Sequence, residues 1–237
     1  MFVNVFPPRP VSRPVMFQSW NTLTFLHWPY DPQILRGLLP ADLELDVFDG
    51  SAWIGITAFK VVNLHPPGLP ALPWVSSFPE TNVRTYVRGR GGEPGIWFFT
   101  LEADRLLAVL GARAVYGLPY RWAHMRVARS GDTVRYTSHR HRFWRPAHSR
   151  IRVRIGEPVR TGELEAFLTA RFRLYTFLYG KLASADVEHE PWPLYSPQLV
   201  EIEQNLLEGS GVPQATGQPI VHFSPGVQVR VGGPERG

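Results

Sequence analysis

Residues 80–88 read Glu-Thr-Asn-Val-Arg-Thr-Tyr-Val-Arg, and this stretch decides the fold class because its side chains alternate in character. A period of two is typical of a β-strand, since successive side chains point to opposite faces of a sheet. One face carries Glu80, Asn82, Arg84 and Tyr86, whereas β-branched side chains dominate the other. The pattern predicts a strand whose polar face either lines a site inside the fold or is exposed to solvent.

Strand patterns continue on both sides of this stretch, separated by turn residues. We predict further strands at residues 43–48, 53–64, 95–101, 122–128, 134–144, 151–155, 172–179 and 227–231. Asp49-Gly50 predicts a hairpin turn between the first two of these strands. Short helices are expected at residues 32–38, 104–116, 162–169 and 196–207, with Asp104 capping the second and Gly117-Leu118-Pro119 ending it.

These elements predict a mainly β fold of antiparallel strands with a few peripheral helices, since alternating βαβ units are not expected. No internal repeat or long linker divides the chain. We therefore expect residues 1–237 to form a single domain, with residues 1–15 as an extended, proline-rich arm.

Composition excludes several classes of protein. Hydrophobic residues make up 44% of the chain, but no apolar run approaches the length of about 20 residues that a membrane helix needs. The N-terminal residues interrupt any signal-peptide pattern with prolines and arginines, so we expect a cytoplasmic protein with no membrane contact. Cysteine is absent, which excludes disulfides and thiolate chemistry. No nucleotide-binding motif or nucleophile elbow occurs, and we predict no cofactor.

The positive charge is concentrated in one part of the chain. Of the 25 cationic residues, 23 are arginines and only Lys60 and Lys181 are lysines. Between Arg121 and Arg173 there are 13 arginines and four acidic residues. This asymmetry favours an anionic ligand or a polyanionic partner.

Residues 135–154 interleave arginines and histidines with aromatic residues. His139 and His141 share one strand face and, with His148, have the residue types of a metal site, but no carboxylate lies beside them in the sequence and we predict no metal. Arginines and aromatic side chains on a β-surface can also hold nucleic acid, although no recognised nucleic-acid motif is present. A solvated arginine-rich face, partly paired with acids from elsewhere, is the simplest interpretation.

Several stretches together resemble the uncharacterised YqjF-like family, a domain-of-unknown-function group within the acetoacetate decarboxylase-like superfamily. The stretches extend in order over nearly the whole chain: FLHW at residues 25–28, YDP at 30–32, LLP at 38–40, AWIGIT at 52–57, NVRTYV at 82–87, WFF at 97–99, YGLPY at 116–120 and PWPL at 191–194. The resemblance implies a large, cone-like antiparallel β-barrel around a central cavity, with Glu80 similar to a cavity-facing glutamate.

The same resemblance implies that the characteristic chemistry of the decarboxylase is missing. Its motif ends in a lysine that forms a Schiff base with a keto acid, and residues 113–121 read Arg-Ala-Val-Tyr-Gly-Leu-Pro-Tyr-Arg. Tyr120 stands in the place of that lysine, Arg121 in the place of a second lysine, and Ala114 in the place of a glutamate; Arg113 keeps the motif's arginine. Neither a phenol nor a guanidinium can form a Schiff base, so lysine-dependent decarboxylation at this site is excluded.

The leading hypothesis is a protein that binds a small organic anion, a carboxylate or oxo acid, in an internal cavity. Arg84 is the expected charge partner and Glu80 and Tyr120 the candidate catalytic groups, with Tyr120 also donating hydrogen bonds. Asn82, Tyr86, Arg113 and Arg121 are further candidate ligand-binding residues. The alternative is a non-catalytic module that binds nucleic acid or another polyanion through residues 135–154. The sequence leaves open whether the protein is an enzyme. It also leaves the number of subunits open, and a homo-oligomer is possible.

Overall fold

A computed structural model describes residues 5–236 of the chain. Thirteen strands and four short helices follow one another within these residues. Their bounds are β1 Pro14–Tyr30, α1 Pro32–Arg36, β2 Glu44–Leu45, β3 Ala52–His65, β4 Phe78–Arg88, β5 Pro94–Ala103, α2 Leu106–Tyr116, β6 Tyr120–Ser130, β7 Thr133–Arg140, β8 His148–Arg154, α3 Glu163–Thr169, β9 Arg173–Leu178, β10 Lys181–His189, β11 Gln198–Gln204, α4 Leu206–Gly209, β12 Ile220–Gly232 and β13 Glu235–Arg236. The mainly β class predicted from the sequence is confirmed.

Strand pairing closes part of the sheet into a ring. The pairings follow the order β5–β9–β10–β12–β1–β3–β4, and β4 pairs in turn with β5, so that these seven strands enclose a barrel interior. The remaining large strands, β6, β7, β8 and β11, extend as a branch from β5. Since neighbouring side chains alternate between faces, one face of each ring strand points into the barrel and the other points out.

The branch packs over the outer face of β1 and β3. Its apolar residues, among them Tyr136 and Ile151, form one core with Leu26 and Ile56 of the ring. A hydrogen bond of 2.9 Å from Thr24 Oγ1 to Tyr136 Oη joins the two layers at this core. Residues 23–28 of β1 and 52–59 of β3 are therefore buried on both faces, and polar residues on their inner face are held away from water.

The two barrel ends are covered by helices. Val109 and Tyr116 of α2 pack with Phe78, which begins β4. Leu168 of α3 packs against Trp53 and Tyr86, which lie near the opposite end of the interior. Within the described residues, no helix is long and apolar enough to cross a membrane.

The sheet is mixed, which corrects the expectation of purely antiparallel strands. β5 runs parallel to β6 and to β9, and every other pairing is antiparallel. The chain passes from β5 through α2 to the parallel strand β6, so a single β-α-β crossover exists where none was expected. Parallel neighbours require such a crossover because a tight turn can only reverse the chain.

The helix predicted over residues 196–207 is wrong. Residues 198–204 form β11, which pairs with β8, and only residues 206–209 are helical. Leu199 and Ile202 pack on the same core although they are three residues apart, because the register shifts between Leu199 and Glu201. A β-bulge of this kind makes a strand imitate the spacing of a helix.

Smaller differences concern the bounds and partners of other elements. The strand expected to reach residue 144 ends at Arg140, and β10 was not predicted. The expected Asp49-Gly50 turn exists, with φ of 50° and 73°, but the preceding strand β2 pairs with β4 rather than β3. Asp104 does not cap α2: its carboxylate accepts a hydrogen bond from the Met125 amide. Residues 1–4 of the predicted arm lie outside the described residues, and β1 begins at Pro14.

Candidate functional site in the barrel interior

The polar face of β4 points into the barrel. Glu80, Asn82, Arg84 and Tyr86 are all buried, with exposed fractions of 5%, 4%, 7% and 0%. Asn82 lies opposite Thr57 of β3, within the closed ring. The sequence left open whether the polar face points into the fold or to water, and in the structure it points into the fold. Such residues are expected to be hydrogen-bonded or ion-paired, because burial of an unpaired polar group is unfavourable.

Glu80 is joined to the predicted residue Tyr120. Tyr120 begins β6, which runs parallel to β5, and its hydroxyl donates a hydrogen bond of 2.8 Å to Glu80 Oε2. Asn82 Nδ2 donates a longer one, 3.5 Å, to Glu80 Oε1. Burial raises the pKa of Glu80 to about 7, although both hydrogen bonds act to lower it. The pKa of Tyr120 is raised well above its usual range by burial and by the Glu80 carboxylate, so its hydroxyl remains a proton donor.

Arg84 lies further along the same strand face without an acidic partner. One of its terminal nitrogens, Nη2, donates to the Leu168 carbonyl of α3 over 3.3 Å, and its guanidinium lies over the Phe25 ring at 5.3 Å. The buried Nε atom has no hydrogen-bond partner. No carboxylate of residues 5–236 forms an ion pair with this side chain, since Glu80 is bonded to Tyr120 and Asn82 instead.

The other buried arginines of the described chain are neutralised. Arg140 binds the Glu102 carboxylate with nitrogen–oxygen distances of 2.5–3.1 Å. Arg171 Nη1 donates a hydrogen bond of 2.6 Å to Asp46 Oδ2. All three guanidinium groups are less than a tenth exposed. Arg84 is therefore distinguished from comparable residues by an uncompensated buried charge.

Three further polar residues line the interior near Arg84 and were not predicted from the sequence. Both ring nitrogens of His27, Thr57 Oγ1 and His222 Nδ1 are buried without a hydrogen-bond partner, as is Asn82 Oδ1. Burial lowers the pKa of His27 well below its usual range and also lowers that of His222, so both rings are neutral near pH 7. A sequence signal for His27 existed: it interrupts the apolar run of β1 at an inward position.

Arg113 and Arg121 are not brought to the Glu80 carboxylate. Both donate hydrogen bonds to the Tyr120 carbonyl oxygen, over 2.9 and 3.3 Å respectively. Arg113 lies on the exposed side of α2, and the Arg121 guanidinium lies 6.0 Å from the Trp144 ring. The structure thus gives these two arginines contacts with the backbone of Tyr120 and no contact with the interior polar groups.

The arginine-rich surface of residues 135–154 is paired with acids from a strand distant in sequence. Arg150 lies 3.6 Å from Glu201 and 3.3 Å from Glu203 of β11, and Arg152 lies 3.3 Å from Glu201. This confirms the expectation of a solvated face partly paired with acids. Residues 5–236 contain no cluster of three histidine or acidic side chains placed to hold a metal ion.

Two surface grooves lie away from the interior polar groups. One, of about 590 Å³, is lined by residues that include Arg173 and Tyr175, and the Arg173 guanidinium is bonded to Asp186. The other, of about 290 Å³, lies between His139, His148 and Glu203. Neither groove includes Glu80 or Arg84. We regard the barrel interior as the better candidate site, because its unpartnered polar groups surround a buried guanidinium that has no acidic partner among the described residues.

Sequence comparison identifies the family. The model of DUF2071, described as an uncharacterised conserved protein, matches residues 17–228. The uncharacterised protein YqjF of Bacillus subtilis (strain 168) is 39% identical over 212 residues, which cover 89% of this chain and 87% of that protein. The resemblance noted from the sequence motifs is confirmed.

Solved structures identify the fold. Acetoacetate decarboxylase from Legionella pneumophila superposes with a TM-score of 0.65 at 15% identity, covering 100% of this chain and 90% of that one. An acetoacetate decarboxylase-like enzyme from Sphingomonas wittichii RW1 gives 0.66 at 16% identity, with 97% and 95% covered. The enduracididine biosynthesis enzyme MppR, solved with pyruvate, gives 0.64 at 14% identity, with 97% and 92% covered. The fold is acetoacetate decarboxylase-like, and identities this low show the fold alone.

Proposed function

We propose, on the premise that this chain belongs to the DUF2071 family of uncharacterised conserved proteins, that its barrel interior binds a small organic anion, a carboxylate or an oxo acid. The observation that carries the proposal is the buried guanidinium of Arg84, which has no acidic partner among the described residues. A buried charge without a counter-ion costs several kcal/mol. A bound carboxylate would supply the missing counter-ion and would accept a hydrogen bond from the unpartnered Nε atom.

The groups around Arg84 give the site a division of roles. Arg84 binds the carboxylate of the ligand, and Asn82 offers an unpartnered oxygen to a donor on it. Tyr86 lies beside Arg84, and its hydroxyl donates a hydrogen bond of 2.8 Å to the same Leu168 carbonyl that Arg84 contacts. Glu80, with a pKa of about 7, is populated in both protonation states near neutral pH, which suits it to exchange a proton with a ligand that reaches it.

We expect no Schiff-base chemistry at the interior site, because no lysine lies there. Tyr120 occupies the position nearest to Glu80, and both lysines, Lys60 and Lys181, are exposed. The pyruvate in the MppR structure belongs to a protein at 14% identity, but it suggests short oxo acids as the first ligands to test. We therefore expect binding, with proton exchange at Glu80, and no covalent intermediate with a lysine.

The proposal is tested by a thermal-shift screen of formate, acetate, pyruvate and longer oxo acids, followed by calorimetric titration of the best ligand. A ligand at 100 times its dissociation constant stabilises the fold by about 2.7 kcal/mol, which a melting curve resolves. Arg84→Met should abolish binding, and Arg84→Lys should restore part of it because the charge returns without the planar fork. Arg126→Met, which removes an exposed arginine of β6, is the matched control and should bind as the wild type does.

Two results would overturn the proposal. One is that no carboxylate binds, and the other is that the best ligand binds Arg84→Met as tightly as wild type. Binding of duplex DNA that weakens steeply with salt and persists in Arg84→Met would favour the alternative function at residues 135–154.

A further inference from the structure

His27 lies beside Arg84 although the two residues are on different strands. In the pairing of β1 with β3 and of β3 with β4, His27 is opposite Gly55, and Gly55 is opposite Arg84. His27 is completely buried, and neither of its ring nitrogens has a hydrogen-bond partner among the described residues. His27, Gly55 and Arg84 are thus neighbours on three adjacent strands, and the two polar side chains, each with at least one unsatisfied nitrogen atom, lie on either side of the glycine.

Gly55 permits the approach of the two side chains. A Cβ atom at this position would lie 3.0 Å from His27 Cδ2, 3.2 Å from His27 Nε2 and 3.4 Å from the Tyr86 hydroxyl oxygen. The imidazole therefore lies across β3 in the space that any other residue would occupy, and it is directed towards β4. The geometry is typical of a position where a glycine makes room for neighbouring groups.

The groups that face His27 carry positive charge or none. From β4 it faces the Arg84 guanidinium and the Tyr86 phenol, and from β12 it faces His222. Glu165 of α3 is the acidic group at this end of the interior, and it lies 3.7 Å from His222 Nε2. Burial, then Arg84, then His222 lower the pKa of His27. Of the charges that disfavour an imidazolium at this position, Arg84 has the larger effect, and a carboxylate bound to Arg84 would offset it.

We propose that His27 is the second anion-binding residue of the interior site, and that it takes up one proton when a carboxylate binds to Arg84. This inference rests on the proposed function. The neutral imidazole gains a proton from solvent and becomes an imidazolium that donates one hydrogen bond to the bound carboxylate. Two cationic donors then hold one anion, and the second positive charge appears only when the ligand is present. The site would in this way bind a carboxylate together with a proton, which is equivalent to binding the undissociated acid.

The test is calorimetric titration with pyruvate and with formate at pH 7 in buffers of different ionisation enthalpy, which counts the protons taken up. Wild type should take up close to one proton in each case. His27→Gln should lose that uptake and bind at least ten-fold more weakly. Because Glu80 also titrates near neutral pH, the count is repeated in Glu80→Gln, where uptake should persist. His124→Gln, at an exposed position of β6, is the matched control.

A direct measurement covers the case in which His27→Gln does not fold. The ¹⁵N chemical shifts of the histidine rings in wild-type protein, with and without saturating pyruvate, should show one ring becoming an imidazolium. Proton uptake that vanishes in Glu80→Gln or in His222→Gln but survives in His27→Gln would overturn the inference, as would binding without uptake. These outcomes leave the proposed function intact, whereas failure of every carboxylate of the screen to bind wild type would remove both proposals.

Discussion

The Tyr120 hydroxyl donates a hydrogen bond of 2.8 Å to the Glu80 carboxylate inside the barrel, and this pair determines how the site responds to pH. The donor is a tyrosine at the position where the family resemblance places a lysine. A cationic amine would keep the carboxylate ionised, whereas a phenol stabilises it only by a hydrogen bond. Burial therefore prevails, and the pKa of Glu80 rises to about 7.

Replacement of Glu80 by Gln should make the fold more stable at alkaline pH. The pKa of Glu80 rises from 4.5 to about 7 on folding, so the folded state holds this proton more tightly. The stability that this adds is present below about pH 4.5 and is lost as the pH rises to about 7. We expect the free energy of unfolding of Glu80→Gln minus that of wild type, measured with urea, to increase by about 3 kcal/mol between about pH 4.5 and pH 8. Glu44→Gln, an exposed residue of β2, should show no such trend, and parallel curves for Glu80→Gln would contradict the prediction.

Replacement of Tyr120 by Phe should raise the pKa of Glu80 above 7, because the lost hydrogen bond is one of the two interactions that lower it. Titration of the Glu80 carboxyl carbon by NMR, assigned from its absence in Glu80→Gln, measures this value. The variant should lose about 1.5–3 kcal/mol of stability at pH 8, where the acceptor is charged, and less at pH 5. A pKa equal to that of wild type would mean that the hydrogen bond does not exist in solution.

Two buried arginines should respond in opposite ways to replacement by Met. Arg140→Met leaves the completely buried Glu102 without its counter-ion and should cost about 3–5 kcal/mol. Arg84→Met removes a charge that has no acidic partner, so the free energy of unfolding should be unchanged or higher. Urea unfolding of both variants at pH 7 compares them directly. Equal destabilisation would show that Arg84 has a structural partner in solution.

Borohydride reduction in the presence of acetoacetate or pyruvate should leave the mass of the protein unchanged. A Schiff base needs an amine that contacts the keto acid, and the two lysines of the chain, Lys60 and Lys181, are both exposed and lie away from the interior polar groups. Mass spectrometry of the intact protein measures this, with acetoacetate decarboxylase as the positive control. A specific adduct on either lysine, with loss of decarboxylation when that lysine is replaced by Arg, would contradict the exclusion of Schiff-base chemistry.

Local pattern determined much of the fold. The alternation in residues 80–88 predicted β4, and Gly117 and Pro119 predicted the end of α2, because chain conformation at these positions depends on neighbouring residues. The strand β11 was missed because a β-bulge places Leu199 and Ile202 on one face at a helical spacing. Which strands are parallel also depends on pairings between distant segments, and these leave no local signal.

The candidate site divides in the same way. The sequence by itself determined that Glu80, Asn82, Arg84 and Tyr86 share one face, because side-chain direction alternates along any strand. It also determined that no lysine is available at position 120. Only the tertiary structure decided that this face points inward and that Glu80 bonds to Tyr120 rather than to Arg84. It also decided that His27 and Arg84 lie on either side of Gly55. These relationships depend on closure of the ring, which removes water from one face of the sheet and so converts ordinary polar residues into unsatisfied ones.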